Sequence, residues 1–461
     1  MATGDPAAVD PTIGGPRTSV RQGPEPTPAA PLTPPRSSVP VGQGQGFWRT
    51  ALQMFGPAYL VAVGYMDPGN WATDLAAGSR FGFGLLWVVA LSSLIAMVLQ
   101  SLCCRLGIAT GQDLAQGCRA WLPPPWRLPL WLLAEVAIVA CDLAELVGSA
   151  IALQLLFGLP LPWGVLLTAA DTLLLLALQR FGMRRLEALI IALVALVGAC
   201  FAIELMLLQP NWHAVAAGLV PQAASLRDGE QLYLAAGILG ATVMPHNLYL
   251  HSSLVQTRRW PVQPGASQRA LRFASLDAAL ALSLAFLVNA AILILAGGAF
   301  HQAVATPVED LRQAYRLLTP LLGTSLASVL FAVALLAAGQ SATITATLAG
   351  QVVMEGFLNL RLPAWQRRLL TRGLALIPAM ATVMLLGDAA TAHLLVLSQV
   401  VLSLQLPFAV IPLVHFCGQR GLMGDLRSPA WLQALSWFCA AVIVLINASL
   451  LMALPRVAGF R

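Results

Sequence analysis

The feature that most constrains this chain is a series of apolar stretches, each about as long as a membrane is thick. Eleven of them follow one another between residues 51 and 453. A helix needs about 20 apolar residues to cross the hydrocarbon core of a bilayer. A soluble protein with buried helices would carry polar faces on such segments, and these segments lack them. The sequence therefore predicts an all-α membrane protein with many spanning helices.

The eleven predicted helices are joined by short connections that contain Gly and Pro, residues that stop helices. Their bounds are 51–78, 82–106, 129–157, 161–179, 186–208, 231–257, 272–298, 323–354, 368–386, 389–416 and 431–453. The domain organisation that follows is one transmembrane domain over residues 47–461. Residues 1–46 are rich in Pro, Gly, Ser and Thr, a composition that cannot bury enough apolar surface to order itself. We expect a disordered tail there.

The composition excludes several functional classes. Only 10% of the residues are charged, against about 25% in a typical soluble domain. All 26 basic residues are Arg, and they are not gathered with aromatic residues into a patch that would bind nucleic acid. No HExxH motif, nucleotide motif or nucleophile–base pair indicates an enzyme or a bound cofactor. The seven cysteines form no CxxC pair, and we interpret them as small core residues that do not bind metal.

The arginines also predict the orientation in the membrane. With the N-terminal tail in the cytoplasm, only six of the 26 arginines fall in the opposite loops and at the C-terminus. Such an excess on one side is typical of the cytoplasmic side. We therefore expect a multi-pass membrane protein with a cytoplasmic N-terminus, an extracytoplasmic C-terminus and lipid as its surroundings.

A helix-breaking sequence interrupts the first predicted helix. Asp67 is followed by Pro68, Gly69 and Asn70 in the middle of an apolar stretch. Proline removes a backbone donor and clashes with the preceding turn, so a continuous helix is not expected there. A carboxylate inside the membrane costs about 2.5–3.5 kcal/mol on insertion scales and usually marks a functional site. A capped proline kink without further function is the alternative.

The sixth predicted helix has a similar interruption. Met244, Pro245, His246 and Asn247 lie at its centre. Pro-interrupted helices at corresponding places in two halves of a membrane protein indicate the binding site of an inverted-repeat transporter. His251 lies five residues beyond His246, which points the two imidazoles about 140° apart on a helix and argues against a two-histidine metal site.

The residue types at the two breaks favour a divalent cation. Asp67 and Asn70 supply oxygen donors, and Met244 supplies a thioether. Calcium and magnesium sites use oxygen alone, whereas sulfur favours transition metals. Ordinary core packing is the alternative role of Met244.

Four segments of the chain resemble the Nramp family of divalent metal transporters, and most closely its bacterial manganese importers. They are GYMDPGNWATDLAAG, EVAIVACDLAELVGSAIALQLLFG, GATVMPHNLYLHSS and GQSATITATLAGQVVMEGF. The resemblance extends from about residue 47 to the end of the chain. It implies a LeuT-like fold, in which two inverted five-helix repeats are followed by an eleventh helix and helices 1 and 6 are broken at mid-membrane.

The resemblance also implies a function and a set of site residues. The function is import of Mn²⁺, and of Fe²⁺ and Cd²⁺, together with protons. The implied metal ligands are Asp67, Asn70, Met244, the carbonyl of Ala241 and, in some conformations, Gln399. A Na⁺-coupled transporter of a small organic solute is the alternative on the same scaffold, although Asp67 would repel an anionic solute. We expect the transporter to act as a monomer.

The candidate proton pathway begins at Asp67 and continues along the third helix. Glu135, Asp142 and Glu145 lie at i, i+7 and i+10, which is one stripe of that helix. Three carboxylates on one membrane helix suggest a proton relay. Structural pairing with arginines of the ninth helix, such as Arg367 and Arg368, is the alternative, and both roles can hold together. Whether Arg367, Arg368 or Arg372 is the partner cannot be read from the sequence. His246 is a further candidate because imidazole changes charge near neutral pH. Asn289 of the seventh helix is expected to bond to the broken sixth helix.

Overall fold

The computed structural model describes residues 39–41, 46–178, 182–222, 228–260, 265–304, 306–360, 362–387 and 389–457. Of the tail predicted to be disordered, residues 1–46, all but 39–41 and 46 lie outside the described residues. Strand β1, Val39–Pro40, pairs in parallel with a second two-residue strand further along the chain.

The first predicted helix, 51–78, is divided into several pieces. Helix α1 (Phe47–Met54) ends before Gly56, whose φ of 138° breaks the helical path. Helix α2 (Pro57–Ala62) and a 3-10 turn over Gly64–Met66 follow. Helix α3 (Pro68–Phe81) then begins at the predicted break. The prediction of a broken helix is confirmed, whereas its first residues belong to the separate helix α1.

The first half of the domain continues with four long helices and two short ones. In chain order they are α4 (Leu86–Thr110), α5 (Leu114–Trp121), α6 (Arg127–Phe157), α7 (Leu161–Leu178), α8 (Met183–Leu208) and α9 (Trp212–Gly218). The short helix α5 begins with a capping box, in which the Asp113 side chain and the Gln116 side chain each bond to the other residue's backbone.

The second half opens with the other broken helix and repeats the pattern. Its first elements are α10 (Gly229–Thr242), α11 (Pro245–Leu254) and strand β2 (Arg258–Arg259), the partner of β1. The remaining helices are α12 (Ala266–Ala299), α13 (Leu311–Leu322), α14 (Ser325–Leu358), α15 (Ala364–Ala381, continued by a π turn over Thr382–Leu386), α16 (Ala389–Gly418), α17 (Arg420–Met423) and α18 (Ala430–Val457).

The predicted number of spanning helices agrees with these elements. Within the described residues, seven helices are long and apolar enough to cross a membrane: α4, α6, α8, α12, α14, α16 and α18. The two broken helices and the apolar parts of α7 and α15 supply the other four. Large apolar side chains such as Ile203, Leu369 and Phe438 are exposed on the outside of the bundle. Such side chains are expected where a protein surface faces lipid.

Two glycines let helix α16 pass close to both breaks. A Cβ atom on Gly69 would overlap the side-chain amide of Gln399, and one on Gly240 would overlap the backbone carbonyl of Gln399 and the backbone of Ser403. At Gly240 the neighbour is backbone, which cannot move aside as a side chain can, so no other residue type fits there. Helix α16 is thereby held against both α3 and α10, which places Gln399 where the two broken helices meet.

Candidate functional site

The first break is organised by Asp67, which stands at the N-cap of α3. Its backbone is extended (φ −67°, ψ 165°), and its Oδ1 accepts a hydrogen bond of 2.8 Å from the backbone N–H of Asn70. Pro68 occupies the first helical position, where its missing N–H costs nothing. The break therefore turns a carboxylate toward the centre of the bundle and fixes its direction.

Asn70 joins the two broken helices. Its Nδ2 donates to Asp67 Oδ1 at 2.7 Å and to the backbone carbonyl of Ala241, on α10, at 3.1 Å. Its Oδ1 accepts from Asn289 Nδ2 at 3.3 Å, and Asn289 also donates to the carbonyl of Tyr65. Asn289 thus contacts the first broken helix, and not the sixth as the sequence suggested. For a cation to bind between these groups, the Asn70 side chain has to rotate so that its Oδ1 faces the cation.

The second break brings a thioether to the same place. Met244 precedes Pro245, the first residue of α11, and its backbone is not helical (φ −43°, ψ 120°). Its Sδ accepts a bond of 3.6 Å from Asn247 Nδ2. The Met244 side chain packs in a small apolar cluster with Cys141 of α6 and Leu402 of α16. Gln399, in the same turn of α16 as Leu402, donates from Nε2 to Ser398.

The five residues predicted as metal ligands, Asp67, Asn70, Ala241, Met244 and Gln399, are each at most 1% exposed. Within the described residues, no group of three or more His, Cys, Asp or Glu side chains is arranged to hold a metal ion. The predicted ligands therefore offer one carboxylate together with amide, carbonyl and thioether groups. Such a set can bind a borderline dication in a site that water does not reach in this structure.

A chain of hydrogen bonds closes the site on the side where α2 and α11 lie. Gln100 Nε2 donates to the Tyr65 hydroxyl at 2.6 Å, and Gln100 Oε1 bonds to His251 Nδ1 at 2.7 Å. His251 Nε2 lies 3.4 Å from Cys104 Sγ. All four residues are buried. The sequence offered no signal for this chain because its members come from three helices; it also shows that His251 faces away from the breaks, as predicted.

Ion pairs close the opposite side, where α3 ends and α10 begins. Arg80, near the end of α3, contacts Glu230 at the start of α10 and Glu309 in the segment between α12 and α13. These three side chains border a cavity of about 360 Å³. The cavity extends to Ala76 on α3 and to Val396, one turn before Gln399 on α16. It therefore lies between the ion pairs and the breaks.

The carboxylates of α6 are paired with two different arginines of α15. Glu135 accepts from Arg367 at 3.4 Å. Arg372 lies 3.8 Å from Asp142 and 3.7 Å from Glu145, and it donates to Thr343 at 2.9 Å. Among the predicted candidates, Arg372 is thus the partner of the two inner carboxylates and Arg367 that of the outer one. The side chain of Arg368, also predicted, lies outside the described residues.

Cys141 connects the breaks with the carboxylates of α6. Its Sγ is 4.0 Å from Asp67 Oδ2, 3.6 Å from Glu145 Oε1 and 3.8 Å from His246 Nε2. The predicted pathway residues Asp67, His246 and Glu145 are therefore brought around one thiol. All seven cysteines are buried, as expected of core residues, but no sequence feature indicated that Cys141 faces the break.

Comparison with known proteins agrees with the fold. Residues 58–453 match the family Nramp, described as "Natural resistance-associated macrophage protein-like". The chain is 58% identical over 415 residues to the "Divalent metal cation transporter MntH" of Xanthomonas campestris, which covers 90% of this chain and 94% of that protein. It is 56% identical over 432 residues to the protein of the same name from Nostoc, covering 91% and 97%.

Solved structures extend this agreement to three dimensions. The crystal structure of a mutant of the Eremococcus coleocola manganese transporter matches with a TM-score of 0.84 at 40% identity, covering 92% of this chain and 90% of that one. Mhp1, a nucleobase-cation-symport-1 family transporter, matches with a TM-score of 0.59 at 16% identity, covering 92% and 95%, which is a likeness of fold alone. The LeuT-like fold predicted from the sequence is confirmed. This chain is a multi-pass membrane protein, and it belongs to the Nramp family.

Proposed function

We propose that this protein imports divalent transition metal ions, Mn²⁺ and also Fe²⁺ and Cd²⁺, together with protons and by alternating access. The relatives named as divalent metal cation transporters support the cargo, because they are 56–58% identical over nine-tenths of the chain. The observation that carries the proposal is the meeting of Asp67, Asn70 and the Ala241 carbonyl within hydrogen-bond distance, with Met244 at the second break.

The donor chemistry supports a transition metal as the cargo. Asp67 supplies the only carboxylate at either break and hence most of the attraction for a dication. The carbonyl of Ala241 and the Asn70 and Gln399 amides add oxygen donors, while the Met244 thioether favours softer ions over Ca²⁺ and Mg²⁺. The cation is the substrate and not a resident cofactor, so the site has to release it as well as bind it.

The proton pathway is assigned to the residues between the break and α15. Asp67, His246 and Glu145 surround the Cys141 thiol within 4.0 Å. Asp142 and Glu145 share Arg372, and Glu135 pairs with Arg367 further along α6. Because Asp142 and Glu145 share Arg372, one of the two carboxyl groups can hold a proton while the other still balances the charge of the arginine.

The setting of the proposed function is the bacterial inner membrane. The distribution of the arginines in the sequence supports a cytoplasmic N-terminus and an extracytoplasmic C-terminus. In that orientation the Arg80 ion pairs lie on the extracytoplasmic side, and the Tyr65–Gln100–His251 chain lies on the cytoplasmic side. All the proposed ligands come from one chain, so a monomer is sufficient for transport.

The proposal is tested by uptake in proteoliposomes that contain the purified protein, with Mn²⁺, Mg²⁺ and Na⁺ varied separately and internal pH recorded. We expect Mn²⁺ to accumulate and the lumen to acidify without Na⁺. Asp67→Ala should abolish uptake at near-normal expression, because the site loses its only carboxylate. The exposed Asp425 provides the matched control, and Asp425→Ala should retain uptake. Substantial Mn²⁺ uptake by Asp67→Ala would contradict the site, and uptake that depends on Na⁺ would favour a solute symporter.

A further inference from the structure

Building on the proposed function, we propose that the sulfur of Cys141 is a further donor to the transported cation, and that it raises the preference for thiophilic ions such as Cd²⁺. The residue lies on α6, a helix that carries none of the ligands described above. It is 1% exposed, and it reaches the first break through its contact with Asp67 Oδ2.

The distance between Cys141 and Asp67 suits two ligands of one ion. Metal–sulfur and metal–oxygen bonds of about 2.3 and 2.1 Å, as in zinc sites, place two ligand atoms about 3–4 Å apart for angles between 90° and 130°. Cys141 Sγ and Asp67 Oδ2 are 4.0 Å apart. As a hydrogen bond this contact is at the limit of length and therefore weak. A cation between the two atoms would displace only this weak contact. It would be bound by the sulfur on one side and by the carboxylate oxygen on the other.

The surroundings of Cys141 place it beside the other sulfur of the site. Cys141 and Met244 lie in the same apolar cluster, which is completed by alanines and Leu402. The oxygen donors lie on the other side of Asp67, whose Oδ1 faces Asn70 and, through it, the Ala241 carbonyl. The site thus has an oxygen side and a sulfur side, and Asp67 presents one carboxylate oxygen to each.

A second observation points to a ligand at the same place. Gln399 is completely buried, its amide lies against Gly69 in the break, and its Oε1 has no hydrogen-bond partner within the described residues. A buried acceptor without a partner is unfavourable and calls for an explanation, and a bound ion is one such explanation. A cation that bridges Asp67 and Cys141 next to Gly69 would offer this oxygen a partner.

The proposed donor set is limited to groups that face the break. Glu145 and His246 contact Cys141 but are not included, in agreement with the lack of any cluster of three His, Cys, Asp or Glu side chains suited to a metal within the described residues. Formation of the Cd–S bond breaks the S–H bond of the thiol, and the nearer carboxylate accepts the released proton. The closer of the two carboxylate oxygens around the sulfur is Glu145 Oε1, at 3.6 Å. Thiolate and thioether together favour soft ions, whereas Mn²⁺ gains less from sulfur.

The direct test is the ultraviolet charge-transfer absorption of a cadmium–thiolate bond, which a thioether does not give. Cd²⁺ is titrated into the purified full-length protein, and the band is compared between the parent, Cys141→Ser and Cys141→Ala. We expect the band in the parent and its loss in both variants. The matched control is Cys104→Ser, since Cys104 is also buried beside a histidine, His251, but lies away from the break. A band that survives in both Cys141 variants, or that disappears in Cys104→Ser instead, overturns the proposal.

A second measurement separates this inference from the function on which it rests. Competition of Cd²⁺ with Mn²⁺ uptake is measured in proteoliposomes. The apparent affinity for Cd²⁺ is divided by that for Mn²⁺, and this ratio is compared between the parent and Cys141→Ser. Loss of one sulfur donor should lower this ratio about tenfold in Cys141→Ser. An unchanged ratio in a protein that transports Mn²⁺ overturns the role of Cys141 and leaves the transport function intact. A parent protein that takes up neither ion refutes the proposed function, whereas the absorption test still decides the role of Cys141.

Discussion

The close contact between Gly69 and the Gln399 side chain leads to a prediction with a defined size. Replacing Gly69 by Ala places a methyl group where the Gln399 amide now lies. Extra volume in a well-packed interior costs about 1–3 kcal/mol. Because each 1.4 kcal/mol is a tenfold change, we expect the closed arrangement of the two breaks and α16 to lose about 5- to 150-fold in population. Mn²⁺ uptake should fall by a similar factor.

The clash can be relieved from the other side, which gives the experiment its control. Gln399→Ala removes the amide that the new methyl group would meet. In the double variant Gly69→Ala/Gln399→Ala, uptake should therefore exceed the value expected from adding the two single effects, with an interaction energy of about 1–3 kcal/mol. Gly198→Ala on α8 is the matched substitution, because nothing lies within 4 Å of the new methyl group. It should leave uptake close to that of the parent.

Uptake is measured as the initial rate of Mn²⁺ entry per correctly inserted protein, so that differences in expression do not enter. Two results would refute the reasoning. Gly69→Ala with parental uptake would mean that Gln399 does not lie over the break during transport. Strictly additive effects in the double variant would mean that the two side chains do not meet.

Two further predictions concern selectivity and coupling. Met244→Ala should retain part of the Mn²⁺ uptake, weaken Cd²⁺ transport sharply and let Ca²⁺ or Mg²⁺ compete. The reason is that the variant keeps the oxygen donors and one thiol but loses the thioether. Identical competition by excess Ca²⁺ in variant and parent would mean that Met244 is only a packing residue. Asp142→Asn and Glu145→Gln should lower metal-driven proton entry more than metal binding, since both carboxylates share Arg372 and neither is among the proposed ligands. Equal losses of proton entry and binding would indicate a structural role.

The two breaks could be predicted from the sequence because their causes are local. Pro68 and Pro245 cannot continue a helix, and each stands at the first position of the half-helix that follows. The residue before each proline, Asp67 or Met244, is then turned out of the helix by the same backbone geometry. Asp67, Asn70 and Met244 follow as candidate ligands from these local sequences, whereas Ala241 and Gln399 are implied only by the family resemblance.

The partners of these residues could not be predicted, because they depend on how distant helices cross. Arg367 and Arg372 are five residues apart on one helix, and only the packing of α15 against α6 decides which carboxylates each one meets. Cys141 was interpreted as a core residue because its neighbours in the sequence are apolar. Apolar neighbours do not indicate whether a side chain faces a packed core or a helix break. Likewise, the separate helix α1 depends on a single unusual glycine, Gly56.

The ion pairs of Arg80 are more exposed than the Tyr65–Gln100–His251 chain of hydrogen bonds on the other side of the site. This difference affects how salt in the medium acts on transport. The side chains of Arg80, Glu230 and Glu309 are 26%, 53% and 25% exposed, so dissolved salt reaches and screens their attraction. The hydrogen bonds of the Tyr65–Gln100–His251 chain are buried and are not ion pairs, so dissolved salt has little effect on them. In the proposed orientation, external ionic strength should therefore speed the step that admits the cation and leave the step that releases it to the cell almost unaltered. A single transporter would then sense the salinity outside the cell through the rate of only one half of its cycle.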